Sequence, residues 1–177
     1  MNDGTVERTD QRVTLRYERQ LHHPLRVVWH AITDPEEIER WTGNRPEIDL
    51  RPGGEWVSYH GPDRDRVVDR IVRLEPPRLL EHTFWAHVNP TALVTWELAP
   101  SDGGCQLTLT HGMDHSDVET AAATVAQGMH PVAIMARTAA GWHRLLDRLE
   151  ATVDGRTVAW SEEELQEMQE SYAAQLR

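Results

Sequence analysis

The chain has 177 residues, 39% hydrophobic and 27% charged, which suits one ordinary domain with a real core, or one domain plus a short appendage. No run approaches the ~18 apolar residues of a membrane span. The N-terminus is polar and acidic, unlike a secretory signal, and a single cysteine, Cys105, permits neither an intrachain disulfide nor a cysteine-built zinc site. These features set the expectation of a cytoplasmic protein. The net charge of -11 would repel a phosphate backbone, and all 18 basic residues are arginine, which excludes a Schiff-base lysine and a P-loop.

Residues 1–11 are polar and read as a flexible leader. Val13, Leu15, Tyr17, Arg19 and Leu21 then alternate with polar residues, the pattern of a strand with one buried face. Pro24 opens a helix with Leu25, Val28, Trp29 and Ile32 on its apolar stripe. A second begins with Asp34 as cap, Pro35 at the first helical position and Glu37 at the third, and Gly43 should stop it. Strands are expected near 46–51, 54–60, 66–74, 79–87, 91–99 and 105–111, separated by Pro/Gly/Asp/Asn turns. Their short spacing suits antiparallel hairpins rather than βαβ crossovers.

After His111 the period changes. Ser116 and Glu119 could form a capping box for a short alanine-rich helix, and Pro131 starts a longer one reaching Asp154-Gly155. In the tail, Ser161 and Glu164 form a second capping box, with Trp160 placed to staple onto Leu165. Leu165, Met168, Tyr172 and Leu176 line one side of that last helix. The stripe would pack on its own domain or make a homodimer.

One strand, two short helices, six antiparallel strands and a long amphipathic helix give the order of an α+β helix-grip fold, a curved sheet wrapped around its C-terminal helix. Five segments carry a closer likeness: Asp34-Pro35 with Trp41, Arg51-Pro52-Gly53-Gly54-Glu55, Val94–Leu98, Gln106–His111, and Gly141-Trp142 followed by Leu145, Leu146 and Leu149. Together they resemble the activator of Hsp90 ATPase homologue 1-like domain of the START/Bet v 1-like (SRPBCC) superfamily. The resemblance covers residues 12–152, with 116–131 as an insertion where the family often has a gate to its cavity. Residues 153–177 read as a helical extension, which some bacterial members also carry.

No catalytic constellation stands out. His111 and His115 are four apart but sit on a strand exit and loop, where that spacing does not converge on a metal, so no metal is expected. There is no nucleophile elbow or dinucleotide fingerprint, and Cys105 reads as a small buried hydrophobe. No cofactor is expected either. The seven tryptophans beside one phenylalanine are the unusual feature. On the resemblance, Trp56, Trp96 and Trp142 line a cavity between sheet and helix, with Phe84, Leu109, Met135 and Thr138 beside them. His82, on the strand face of Phe84, would supply an orienting hydrogen bond.

Three functions compete. The first is non-catalytic binding of a small hydrophobic or aromatic molecule in that cavity. The second is a polyketide cyclase or aromatase-like enzyme using the same space, with His82, Tyr59 and Arg137 as the nominated acids and bases. The third is an Hsp90-type co-chaperone module, for which a chain of net charge -11 lacks a basic docking surface.

Overall fold

The computed structural model describes residues 4–124, 126 and 128–177. Residues 1–3 of the expected leader and 125 and 127 of the expected insertion lie outside the described residues. The alternation from Val13 to Leu21 becomes strand β2 (Arg12–Leu21), with all five alternating residues buried. Ahead of it, β1 (Thr5–Arg8) pairs antiparallel along β2, from Thr5 opposite Arg16 to Arg8 opposite Val13. Over residues 5–8 that corrects the expected flexible leader. A strand held by backbone pairing on a sheet edge needs few apolar side chains, so hydropathy did not reveal it.

Two helices follow, α1 (Leu25–Thr33) and α2 (Pro35–Thr42). Asp34 caps α2 as expected, its carboxylate accepting from the N–H groups of Glu36 and Glu37 at 2.9 and 3.1 Å. Gly43 ends it in the left-handed conformation at φ 76°. Pro24 is the capping residue of α1 rather than its first helical residue, and Trp29 is only half-buried.

The meander comprises β3 (Glu47–Ile48), β4 (Glu55–His60), β5 (Asp65–Glu75), β6 (Leu79–Thr83), β7 (Leu93–Ser101) and β8 (Gly104–Asp114). All neighbours are antiparallel in the order β1-β2-β8-β7-β6-β5-β4-β3, so β8 returns beside β2 and the two short helices bridge the ends. The strand expected over 79–87 stops at Thr83. Asp69 on β5 is the cause, because its carboxylate accepts from Thr83 Oγ1 at 2.8 Å and from the N–H groups of Trp85 and Ala86 at 3.1 and 3.2 Å. Trp85 adopts φ 52° in that turn.

Helix α3 (His115–Thr124) begins before Ser116, so the expected Ser116–Glu119 capping box is not what starts it. The buried Asp117 instead accepts from Thr91 N and Oγ1 at 2.8 and 2.7 Å, tying the helix to the end of the sheet. Helix α4 (Pro131–Val153) lies along the inside of the sheet with Pro131 at its first position, and α5 (Glu162–Gln175) carries the reciprocal Ser161–Glu164 capping box. Trp160, expected to staple onto Leu165, sets its ring edge-on to His143 at 5.9 Å. The terminal stripe packs on its own domain, where Tyr172 and Leu176 are buried against the common core.

Candidate functional site

On α4, residues 138, 141, 142 and 145 fall on one face at helical spacing. That face looks across to α2 and to the inner side of β4–β7, and between them lies a cavity of about 390 Å³. Thr138, Trp142, Trp56, His82, Phe84 and Trp96 all line it, so the structure brings these sequence-derived candidates together. Leu109 and Met135 do not. Leu109 is fully buried within the packed core, opposite Tyr17 and Trp96 in the sheet. Met135 lies on an earlier turn of α4 and faces a separate cleft near Val13, Val118 and Leu176.

The aromatic walls form a connected set. The Trp41 and Trp96 rings meet edge to face at 6.1 Å and those of Trp96 and Trp142 at 5.8 Å, while Phe84 is tilted against Trp142 at 5.4 Å. Trp56 stacks on His82 at 4.9 Å with 14° between the planes. Three of the indole N–H groups are held internally. Trp41 donates to the Ala31 carbonyl at 2.9 Å, Trp96 to His82 Nε2 at 3.3 Å and Trp142 to His111 Nδ1 at 2.9 Å.

These bonds fix the histidine tautomers. His82 Nε2 accepts from Trp96, so its Nδ1–H donates to the Thr83 carbonyl at 2.7 Å. Both nitrogens are thereby engaged, and the orienting bond that the sequence assigned to His82 goes to the protein. Burial pushes the His82 pKa down. His111 is pushed down to about 3 by burial, with smaller contributions from His82 and Arg12, so both rings are neutral at pH 7.

The polar residues on the wall were not foreseen. Ser58 and His60 share the face of Trp56 on β4, with Ser58 Oγ 2.7 Å from His60 Nε2. Desolvation lowers the pKa of His60, and the nearby Asp69 opposes that shift. Asp69 and Asn44 complete the polar end. Asn44 Nδ2 donates to the Tyr59 carbonyl, and its Oδ1 is buried with no hydrogen-bond partner. Tyr59 and Arg137, nominated as acid or base, lie elsewhere: the Tyr59 hydroxyl donates to Glu47 at 2.5 Å, and exposed Arg137 reaches Met129 Sδ. His111 and His115 are likewise apart in role, His115 Nε2 lying 3.0 Å from the Thr9 carbonyl. Among the described residues no three His, Cys, Asp or Glu side chains converge to hold a metal ion.

A curved antiparallel sheet gripping one long helix, with an aromatic-walled cavity between them, defines a helix-grip protein. Residues 22–154 match the family described as Activator of Hsp90 ATPase homolog 1-like protein, and the chain belongs to that family. Its fold is shared with CalU16 from Micromonospora echinospora, at 24% identity and a TM-score of 0.74 over 100% of this chain and 98% of that one. A conserved protein of unknown function from Enterococcus faecalis, EF2215, aligns at 18% identity and a TM-score of 0.75, covering 98% of this chain and 90% of its own. MLL2253 from Mesorhizobium loti aligns at 23% identity and 0.60, over 82% of this chain and 99% of its own. The first two cover α5 as well as the sheet. No curated protein matches the sequence. No helix among the described residues is long and apolar enough to cross a membrane.

Proposed function

We propose that the protein binds a small hydrophobic or aromatic molecule in the cavity between the sheet and α4, without itself catalysing a reaction. The observation that carries this reading is the roughly 390 Å³ space walled by Trp41, Trp56, Trp96, Trp142 and Phe84. Mostly apolar clefts of about 300–1,000 Å³ with a few polar groups are the usual form of a small-molecule site. His82 on the wall and His111 behind it are neutral and committed to indoles, so they stiffen the walls rather than offer a proton. On this reading Trp56, His82, Phe84, Trp96, Thr138 and Trp142 form the binding site, and residues 12–152 are the unit that carries it.

Native and denaturing mass spectrometry of the freshly purified protein, followed by titration of its tryptophan emission with naphthalene, tests the reading. The expected result is a non-covalent adduct lost on denaturation, or a saturable one-to-one change in emission. A bare mass together with a linear, unsaturable response would remove it.

The cyclase-like alternative has one observation in its favour, the Ser58–His60 pair at 2.7 Å on the cavity wall. A neutral histidine beside a hydroxyl in an apolar setting is a competent proton acceptor. It replaces His82, Tyr59 and Arg137 as the group to examine. Conversion of a bound polyketide-like chain that stops in His60→Gln, with affinity unchanged, would favour this alternative.

A further inference from the structure

The cavity wall is aromatic on several sides and carries a single ionised residue, and together these select the charge of what enters. We infer that the ligand is a small organic cation, an alkylated ammonium on an apolar frame, held among the Trp41, Trp56, Trp96 and Trp142 rings close to the Asp69 carboxylate. This deepens the proposed binding function and rests on it.

The charge of the lining is one-sided. Asp69 is on it, and among the described residues no other Asp or Glu and no arginine is. Asp69 is 4% exposed, and its carboxylate accepts from Thr83 Oγ1 and from the N–H groups of Trp85 and Ala86. All three donors are neutral, so these bonds orient the carboxylate without cancelling its charge. Its field acts on the cavity rings, where it opposes the fall in pKa that burial causes at both His60 and His82. The other charge acting on His82, Glu81, is acidic too. Both imidazoles stay neutral at pH 7, so neither offsets Asp69. A cation is therefore drawn into this space and an anion repelled, with little water between to screen the effect.

The indoles supply the other half of the argument. Trp41 and Trp96 meet at 65° and Trp96 and Trp142 at 78°, so the three rings are adjoining walls rather than a stack. Their N–H groups are bonded within the protein, and what remains for a ligand is ring surface. An indole face carries negative potential, and a cation within about 6 Å of the ring centre is held by it, more strongly once water is excluded. Several aromatic rings around one space are the arrangement that recognises quaternary ammonium groups. Such a group has no N–H, so its retention does not depend on the wall's own hydrogen-bonding groups. A merely apolar cavity would prefer the uncharged molecule of the same shape, because water holds a cation strongly.

Phenyltrimethylammonium and tert-butylbenzene share one shape and differ by one charge, so titrating the tryptophan emission with each isolates that charge. The cation should bind about tenfold tighter than its neutral twin. In Asp69→Asn the cation should lose at least about fivefold in affinity, while tert-butylbenzene binds as in the parent protein. Equal binding of the two, or tighter binding of tert-butylbenzene, would overturn the cation and leave the apolar cavity standing. So would binding of naphthalene without binding of phenyltrimethylammonium. Unchanged cation affinity in Asp69→Asn would overturn the part given to the carboxylate. Failure of both probes and of naphthalene would refute the binding function itself. The parent-protein comparison stands even if the variant does not fold.

Discussion

Helix α4 meets its surroundings through two faces that end differently. Toward β2 and α5, Tyr17 donates its hydroxyl to the Ala139 carbonyl at 2.9 Å, His143 Nδ1 lies 2.9 Å from the Tyr172 hydroxyl, and Arg19 pairs with Asp147 at 3.1 Å. Burial, reinforced by Tyr172, raises the Tyr17 pKa and keeps its hydroxyl a donor. Buried alanines at 136, 139 and 140 let the helix sit close to these rings. Toward α2 and β4, large rings surround a space they do not fill. The reason is visible at Gly141, where an added Cβ would meet nothing within 4 Å. A glycine in mid-helix costs about 1 kcal/mol relative to alanine, so the open face is kept at some expense to stability. Four indole and imidazole rings braced by N–H···N bonds hold its walls apart.

The largest expected effect tests the filled face. Tyr172→Ala removes a buried ring that also accepts from Gly4 N–H at 2.9 Å, and urea unfolding should show a loss of about 3–5 kcal/mol. Leu145→Ala, half-buried at the cavity edge, should cost less than about 2 kcal/mol in the same assay. Comparable losses would erase the contrast between the faces.

A smaller effect comes from pH. His111 has a folded pKa of about 3 against 6.5 for a free imidazole, so the unfolded chain takes up a proton that the folded one refuses. Its contribution to stability is complete above pH 6.5 and declines as pH falls from there toward 3, by about 1.4 kcal/mol per pH unit once the unfolded state is protonated. His82 acts in the same direction. His111→Gln keeps an acceptor for Trp142 but does not titrate, so the slope measured between pH 6 and 4.5 should shrink by about one proton. An unchanged slope would mean that His111 is not the buried neutral group described.

The smallest effect on stability should accompany the largest on binding. Gly141→Leu improves helix propensity by up to about 1 kcal/mol and projects into open space. Thermal unfolding should be unchanged or slightly raised while naphthalene binding falls at least tenfold. A destabilised variant would show that the space beside Gly141 is not free.

Local rules were readable where one residue type carries the signal. Asp34-Pro35, Ser161 with Glu164, Pro131 and the stop at Gly43 each follow from backbone groups needing caps, and all four stand where the spacing placed them. The resemblance implied a cavity at Trp56, Trp96 and Trp142, and strand and helix periodicity assigns each to an inward face. That same rule could have found Ser58 and His60, two and four residues beyond Trp56. Asp69 could not be found so, since its place opposite Trp56 depends on the register of β4 with β5. Leu109 and Met135 were misplaced for a related reason: periodicity says which residues face inward, and only tertiary packing says which stretch of the inside stays open. Strand β1 was invisible because an edge strand's support is mainly backbone.

The indole N–H resonances of the seven tryptophans, followed by NMR as 2-naphthol is added, test the cavity most directly. Trp41, Trp56, Trp96 and Trp142 should shift and saturate together, while Trp29 and Trp160, away from the cavity, stay fixed. Uniform, unsaturable drift of all the indoles, or no movement in those four, would contradict an open aromatic-walled site beside α4.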